Sequence, residues 1–382
     1  MNRRRWLRLA AAALPALARA SQTVAEKPLT FPGKRPLLVH NDFPEDLETP
    51  VEYFDTWITP NDAFFVRHHF PRPRPAADAF RLRLDGMVAQ PVTLTLEELK
   101  ALPRYTVPAT LECAGNGRGN FRPRMPGLQW TKGAIGNAQW TGVRLKDLLH
   151  RVQPAAAARY VTCDGADTGV GKTPDFIRSI PLGKAMHDAT LVALEMNGEP
   201  LPALHGFPAR LIVPGWDGAS WVKWLTRLSV AEQPDGGFYM NPAYRYPRRA
   251  VAPGTAARPE DMEVIEGMTV KSFFVRPADG AKLPTAPVTL AGVAWAGEER
   301  ITRVEVSIDG GSRWRDAELG AQDFPFCWRL WRFTWKPAAA GYYSLLCRAT
   351  DSAGRTQPIH AAWNPSGYLW NAIERIGVLV EG

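Results

Sequence analysis

Hydrophobic and polar positions divide the chain into segments of different character. A mild apolar run from Leu9 to Leu17 is followed by a polar, Pro-rich stretch at 21–50 that has no periodicity. From about residue 53 to residue 240, short strand-like runs alternate with helix signals, and Gly and Pro are frequent. Residues 241–262 have the composition of a linker, and beyond them the alternating apolar positions predict only strands.

Local patterns predict several individual elements. Thr95 followed by Glu97 and Glu98 is typical of a helix start. The spacing of apolar residues predicts a second helix within 143–149. Alternation predicts strands at 81–84, at 301–308 before the hairpin turn Asp309-Gly310-Gly311, and at 343–349.

These patterns predict an α+β protein with two domains. We expect a leader at 1–20, an extended surface arm at 21–50, a mixed α/β domain at 51–255 and an all-β Ig-like sandwich at 256–382. A single domain of 382 residues would be unusually large. No apolar stretch approaches the ~20 residues that cross a bilayer, so we expect no membrane span.

The amino terminus has the three parts of an export signal. Arg4-Arg5-Trp6-Leu7 precedes the weak apolar run, and Ala18-Arg19-Ala20 is a small-x-small cleavage site. Paired arginines before a weakly hydrophobic core favour the twin-arginine route, which would make the protein periplasmic. The alternative is an amphipathic helix that stays on the protein.

Removing the leader changes the charge. The whole chain has 46 Lys and Arg against 38 Asp and Glu, a net charge of +8. Five arginines and no acidic residue lie in the leader, so the remainder has 41 against 38, or +3. So small a net charge does not indicate nucleic-acid binding, and any cationic feature should be a local pocket.

Four cysteines are spread along the chain, at Cys113, Cys163, Cys327 and Cys347. None forms a CxxC pair, which excludes zinc-ribbon, iron–sulfur and c-type haem attachment motifs. Cys327 and Cys347 are compatible with a disulfide between neighbouring strands and equally with two buried thiols.

The segment around Cys113 carries the sharpest local signal. Cys113 follows an apolar run and precedes Gly- and Asn-rich residues, which leave room for a ligand to approach the backbone. Arg118 is expected to lower the pKa of the thiol, and a thiolate is the donor that a soft metal prefers. The alternative is a structural cysteine beside a turn.

Two further clusters combine cations with hydrophobic strands. Phe64-Phe65-Val66-Arg67-His68-His69 places charge at a strand end, where a buried cation would need an anion. His205 to Arg210, followed by a strand and by Lys223, offers a guanidinium fork and Gly-rich backbone to a phosphate-bearing ligand. Both clusters are also compatible with surface charges on structural strands.

Taken together and in order, these clusters resemble the sulfite oxidase family of molybdopterin enzymes. The shared motifs are FFVR-x-H at 64–69, CAGN at 113–116, HGFP-x-R at 205–210 and VPG…VKW at 213–224. Residues 303–311 and 363–368 are similar to the dimerisation domain of that family. The resemblance implies a molybdopterin-binding domain of the sulfite oxidase type, followed by an Ig-like domain through which a homodimer forms.

The resemblance also implies roles for residues of this chain. Cys113 would ligate molybdenum, Arg67 and His69 would line the metal site and contact the cofactor, and Arg118 would bind an anion. Trp130, Lys223 and, with weaker support, Arg329 would complete the catalytic pocket. The residues implied for the pterin and its phosphate, besides Arg67, His69 and Cys113, are Phe65, Asp167, His205, Arg210, Ser220 and Lys223.

Two departures from the vertebrate form narrow the expected function. Gly117 stands where that form has Arg, which makes the anion pocket less positive, and no cytochrome b5-like haem domain is recognisable before the catalytic region. The chain is therefore similar to the catalytic subunit of bacterial exported sulfite dehydrogenases, which implies oxidation of sulfite to sulfate with a c-type cytochrome as electron acceptor. The alternatives are a sulfane dehydrogenase subunit that acts on carrier-bound sulfur, and a secreted two-domain binding protein without enzymatic activity.

Overall fold

A computed structural model of the protein describes residues 29–382. The predicted leader at 1–20 and the first residues of the arm lie outside this range, so the leader stays a prediction. Within the described range no helix is both long enough and apolar enough to pass through a membrane.

Strands dominate the described chain, and its three α-helices are short. The helices are α1 (Leu96–Lys100), α2 (Leu145–Val152) and α3 (Leu182–Ala185). The strands before the linker are β1 (Leu38–Asn41), β2 (Asp46–Glu48), β3 (Val66–Arg67), β4 (Arg81–Gly86), β5 (Val92–Thr95), β6 (Tyr105–Glu112), β7 (Ile135–Arg144), β8 (Tyr160–Gly165), β9 (Ile177–Pro181), β10 (Leu191–Met196), β11 (Glu199–Pro200), β12 (Arg210–Ile212) and β13 (Leu225–Ala231). The later strands are β14 (Arg245–Pro247), β15 (Met262–Val264), β16 (Lys271–Arg276), β17 (Lys282–Pro284), β18 (Val288–Trp295), β19 (Ile301–Ser307), β20 (Arg315–Asp316), β21 (Glu318–Leu319), β22 (Arg329–Trp335), β23 (Gly341–Asp351) and β24 (Glu374–Glu381).

Two five-stranded sheets form the first domain. One has the order β11-β10-β7-β6 with β12 also paired to β10, and the other has the order β5-β4-β13-β8-β9. Fully buried side chains from both sheets, such as Leu82, Trp140 and Leu211, belong to one hydrophobic core. The long antiparallel pairing of β6 with β7 ends at Glu112 opposite Ile135, so Cys113 is the first residue beyond a well-supported strand.

The second domain is the β-sandwich that the alternating pattern predicts. One sheet has the order β16-β18-β22-β21 and the other has the order β17-β24-β23-β19-β20. Inward-facing residues such as Leu290, Val304 and Trp331 form its core. A smaller cluster, which includes Phe54, Ile135 and Trp295, joins this sandwich to the first domain.

The described part of the predicted arm, from residue 29, does more than lie on the surface, which corrects the expectation for that part. Strands β1 and β2 form a sheet with β3, the strand that carries Arg67. Glu48 at the end of β2 is fully buried and accepts hydrogen bonds from the backbone N–H groups of Thr131, Lys132 and Gly133. Burial opposes ionisation of Glu48, but the bonds from His40, Thr131 and this backbone lower its pKa to about 2.

Most predicted elements are present, with shifts at their ends. Helix α1 begins after Thr95 with a capping box, because Thr95 accepts from the Glu98 N–H and the Glu98 carboxylate accepts from the Thr95 N–H. The predicted helix at 143–149 starts two residues later, because Val143 and Arg144 still pair with β10. Cys327 and Cys347 are both free, buried thiols, which resolves that alternative.

Candidate active site

Two cavities meet at Cys113. The inner cavity, of about 70 Å³, lies behind the thiol and is lined by Phe65, Asp167, His205, Arg210 and Lys223 among others. The outer cavity, of about 650 Å³, opens outward past Arg118, Trp130 and Tyr368. Both cavities share Arg67, His68, His69, Cys113 and Tyr244. The three sequence clusters therefore come together in space.

The turn that carries Cys113 is fixed by backbone hydrogen bonds at both ends. The Cys113 N–H donates to the Ala134 carbonyl at 2.9 Å, and the Cys113 carbonyl accepts from the Asn116 N–H at 2.8 Å. Because β6 and β7 are paired up to this point, the thiol is held at the end of a rigid sheet.

The electrostatic environment of the thiol differs from the expectation. Burial raises the pKa of Cys113 above its ordinary value, while Arg67 and Arg118 act in the opposite direction. Arg118 acts on the thiol in the expected direction, but desolvation is the larger effect, so the pKa of Cys113 lies above its ordinary value. A bound metal cation would supply the missing positive charge, since metal ligation deprotonates a thiol outright.

Arg67 and His69 are held in place by partners far away in the sequence. Arg67 contacts the buried Asp46 carboxylate at 3.2 Å, and its carbonyl accepts from Lys223 Nζ at 2.8 Å. His69 Nε2 lies 2.7 Å from the Tyr244 hydroxyl. Burial and the neighbouring Arg67 lower the pKa of His69 well below 6.5, so its imidazole is neutral at pH 7.

Arg118 is buried beside the outer cavity, and two of its nitrogens are already occupied. Nε donates to the Ser366 carbonyl and Nη1 to the Leu128 carbonyl, both at 3.2 Å. The guanidinium also lies over the ring of Tyr368, 5.0 Å from its centroid. Within residues 29–382, Nη2 has no hydrogen-bond partner, so it is the nitrogen left for an anion.

The inner cavity is lined by cationic side chains. Arg210 is 2% exposed and donates to the His205 and Trp221 carbonyls, and burial lowers its pKa to about 9. Lys223 is also desolvated, and burial together with Arg210 lowers its pKa well below the ordinary value. Lys34 of the arm reaches His205 from behind, with Nζ 2.6 Å from His205 Nε2. Cations buried this close together require an anionic ligand.

The residues present fit a pterin with a phosphate group and one metal–sulfur bond. Arg210, which lines the inner cavity, has a buried Nε without a partner within residues 29–382, and such atoms are rare unless a ligand satisfies them. Ser220, also predicted to bind the cofactor, lines neither cavity. In the same range, no group of three or more His, Cys, Asp or Glu side chains could hold a metal ion. Cys113 would be the protein ligand, because its thiolate is the donor that a soft metal prefers.

The other predicted site residues fall into two groups. Trp130 is fully buried and lines the outer cavity, as predicted. Arg329 does not reach either cavity, so its predicted place in the substrate pocket is wrong. Its guanidinium donates to the Ile301 and Gly320 carbonyls within the second domain, because β22 directs it toward the neighbouring strands of the sandwich.

Sequence reasoning missed Tyr244, which lies in the stretch expected to be a linker. Tyr244 is buried, its hydroxyl contacts His69, and its ring stacks on Tyr368 with centroids 5.4 Å apart. Asp46, which fixes Arg67, was also missed. The available signals were a Tyr-rich run in a supposed linker and an acidic residue in a supposed surface arm.

Comparisons with known proteins agree with this geometry. The oxidoreductase molybdopterin binding domain matches residues 69–239, and the Mo-co oxidoreductase dimerisation domain matches residues 262–381. The mitochondrial sulfite oxidase of Rattus norvegicus is 35% identical over 94% of this chain and 68% of its own length. The sulfite oxidase of Gallus gallus is 36% identical over 94% of this chain and 81% of its own length. The crystal structure of the sulfane dehydrogenase SoxCD from Paracoccus pantotrophus superposes with a TM-score of 0.77 at 29% identity, covering 95% of this chain and 94% of that one.

Fold and site define a molybdopterin oxidoreductase, with a cofactor domain whose cations surround one cysteine and a following β-sandwich. The chain belongs to the sulfite oxidase family. It is therefore an enzyme whose cofactor is molybdenum bound by molybdopterin, which removes the alternative of a secreted binding protein without activity.

Proposed function

We propose that this enzyme oxidises sulfite to sulfate and passes the electrons to a c-type cytochrome. The observation that carries the proposal is the outer cavity, where Cys113, Arg67 and Arg118 lie together at the end of an opening to solvent. The overall reaction consumes sulfite and water and yields sulfate, two protons and two electrons. The cofactor, when bound, supplies the oxygen-atom transfer chemistry.

The protein's own contribution is to bind and orient a small dianion. Arg67 is held by Asp46, and Arg118 is held by two backbone carbonyls, so neither guanidinium has to reorganise when an anion arrives. Nη2 of Arg118 is free to donate a charge-assisted hydrogen bond to a sulfite oxygen. Trp130 and Tyr244 form part of the walls of the cavity.

Inside the inner cavity, Arg210, Lys223 and His205 would hold the pterin and its phosphate. The positive charge of Arg210 is buried and is partly relieved by the His205 and Trp221 carbonyls, which leaves Arg210 Nε for the ligand. Burial and the neighbouring cations lower the pKa of His205 well below 6.5, so its imidazole is neutral and binds by hydrogen bonding. Asp167, whose pKa burial raises to about 6, lines the same cavity and offers an acceptor or, when protonated, a donor.

Steady-state turnover with sulfite and an oxidised c-type cytochrome tests the proposal. We expect sulfite-dependent reduction of the cytochrome, about one molybdenum per chain, and loss of both in Cys113→Ser. Retained turnover in Cys113→Ser would show that the cysteine is not the ligand. If sulfite reduces the cofactor but no c-type cytochrome accepts the electrons, only the proposed acceptor is refuted.

A sulfane dehydrogenase subunit is a second candidate, favoured by the width of the outer cavity. Its volume of about 650 Å³ is far more than a sulfite ion needs, since a water molecule occupies only ~30 Å³. Its rim includes Pro44 and the half-exposed Phe238, which suit a peptide arm. The SoxCD structure, of similar fold, is that of a sulfane dehydrogenase. Turnover of a protein-bound sulfane thiol in preference to free sulfite would favour this candidate.

The assembly and location of the enzyme belong to the same proposal. We propose a homodimer through the second domain, because residues 262–381 match a dimerisation domain. We also propose a periplasmic enzyme exported by the twin-arginine route, a proposal that rests on the leader pattern at 1–20. Sedimentation of the purified enzyme at twice the mass of one chain tests the first of these.

A further inference from the structure

Glu112, the residue before the metal-binding cysteine, is a carboxylate buried away from both cavities. It ends β6 and is only 2% exposed. Burying one carboxylate is costly unless partners satisfy it, so its contacts must matter to the local structure. Both carboxylate oxygens accept hydrogen bonds, and the positively charged donor among their partners belongs to the other domain.

Those partners are Lys271 and Trp295, which face each other on adjacent strands of the second domain. Lys271 begins β16 and Trp295 ends β18, and the two are opposite each other in the antiparallel register. Lys271 Nζ forms an ion pair with Glu112 Oε1, and Trp295 Nε1 donates to Oε2 at 2.9 Å. All three side chains are buried, so solvent screens the pair only weakly.

The same carboxylate closes the turn that carries Cys113. Asn116 Nδ2 donates to Glu112 Oε1 at 3.1 Å, and Asn116 Oδ1 accepts from the Ala134 N–H at 3.2 Å. The Asn116 N–H meanwhile holds the Cys113 carbonyl. Glu112 and Asn116 therefore bracket Cys113 on both sides, and Glu112 is in turn clamped by the second domain.

We propose that Lys271 and Trp295 are positioning residues, which fix the Cys113 turn through Glu112 without touching substrate or cofactor. The inference rests on the proposed role of Cys113 as metal ligand. It gives the second domain a part in shaping the metal site, in addition to the assembly that a dimerisation domain implies. Without Lys271, Glu112 would be an unpaired buried charge and would move toward solvent, releasing the turn.

Amide hydrogen exchange of the turn measures this directly. In Lys271→Met, we expect the Cys113 and Asn116 amides of the full-length holoenzyme to exchange at least about tenfold faster. Opening of the turn then costs less free energy, because the ion pair of Glu112 with Lys271 is already absent. We also expect molybdenum per chain to fall, since a mobile ligand holds its metal less tightly. The double variant Glu112→Gln with Lys271→Met should recover only part of the slow exchange, because the introduced glutamine carries no buried charge but has one carbonyl oxygen where the carboxylate had two to accept from Asn116 and Trp295.

Lys132→Met is the matched control. Lys132 forms a second ion pair across the domain interface, with the partly buried Glu374, and its loss also leaves a carboxylate there without its cation. Glu374 contacts the Phe274 N–H and not the Cys113 turn. We expect this variant to leave exchange at Cys113 and Asn116 unchanged.

Equal acceleration at Cys113 in Lys271→Met and Lys132→Met would overturn the inference, because it would show only a general loosening of the interface. If Lys271→Met does not fold, Trp295→Phe removes one donor and keeps most of the packing, and unchanged exchange there would also overturn it. Repeating the exchange on chain purified without cofactor separates this inference from the proposed function. The exchange rates do not depend on whether the enzyme oxidises sulfite. Either the inference or the proposed function can therefore fail without the other.

Discussion

The Tyr244 hydroxyl and His69 Nε2 lie 2.7 Å apart where the inner and outer cavities meet, and they join the linker between the domains to the cysteine-facing wall. Tyr244 has a φ of +53°, a left-handed conformation that a bulky side chain seldom adopts. Such a conformation costs of order 1–3 kcal/mol and persists where the surrounding structure requires it. The geometry therefore identifies Tyr244 as part of the site.

Tyr244→Phe should slow the reaction without unfolding the protein. The ring and its stacking on Tyr368 are retained, but His69 loses a hydrogen bond worth about 1 kcal/mol, so we expect kcat to fall by several-fold to about tenfold. Rapid-mixing measurement of cofactor reduction by sulfite checks this. Tyr246→Phe, in the same linker but outside both cavities, should leave the rate unchanged, and an equal fall there would contradict the assignment.

Gly367→Ala should weaken substrate binding from a position in the second domain. A Cβ there would lie 2.8 Å from Arg118 Cγ, so the guanidinium must shift. We expect KM for sulfite to rise by about tenfold with a smaller change in kcat, because one of two anion contacts is displaced.

Gly354→Ala is the control for the cost of placing an alanine in a left-handed backbone conformation. Gly354 has a φ of +80° against +62° for Gly367, and an added Cβ there would meet nothing within 4 Å. Both changes carry the same cost of about 1 kcal/mol for a left-handed alanine. Similar KM values for the two variants would show that Arg118 does not depend on Gly367.

Arg329→Ala should lower stability and leave substrate binding alone. Its two hydrogen bonds to the Ile301 and Gly320 carbonyls are internal to the sandwich, so we expect a loss of about 1–3 kcal/mol in the free energy of unfolding. Arg118→Ala should instead raise KM by at least about tenfold. Urea unfolding and sulfite kinetics on both variants check the contrast, and a raised KM in Arg329→Ala would return that residue to the pocket.

The architecture was predictable from sequence because it depends on local periodicity. Alternation predicted the sandwich, Thr95 followed by Glu97 and Glu98 predicted the start of α1, and the ordered motifs brought Arg67, Cys113 and Arg210 together. What the sequence did not reveal depends on long-range contacts. The Tyr244–His69 pair spans 175 residues and the Glu112–Lys271 pair spans 159, and no local pattern connects such positions. Arg329 was misplaced for the same reason, since its direction is set by its neighbours in the sheet.

Export is testable independently of the structure. Replacing Arg4 and Arg5 together by Lys keeps the charge of the leader but removes the paired arginines that the twin-arginine route recognises. We expect the enzyme to remain in the cytoplasm, as judged by fractionation and by the uncleaved mass. Replacing Arg3 and Arg8 by Lys is the control and should leave export intact. Unimpaired periplasmic accumulation of the Arg4 and Arg5 variant would exclude this route.

Asp217→Asn should change how stability depends on pH. Asp217 is 1% exposed, and its Oδ1 accepts from the Ala219 N–H at 2.8 Å. Burial raises its pKa from 3.8 to about 6, against the opposing effect of Arg178. Between pH 4 and 6 the folded chain therefore holds a proton that the unfolded chain has released, so this residue makes stability fall as pH rises.

Above pH 6 the ionised, buried Asp217 carboxylate costs up to about 3 kcal/mol relative to its unfolded state. The asparagine side chain of the variant keeps an acceptor for the Ala219 N–H and carries no charge. We therefore expect the variant to be more stable than the unchanged protein at pH 7.5, when both are full-length chains purified without cofactor. At pH 4 the two proteins should be nearly equal. Urea unfolding at a series of pH values gives the dependence of the free energy of unfolding on pH for both proteins. The same dependence in both would show that Asp217 is already ionised below pH 4 in the folded protein.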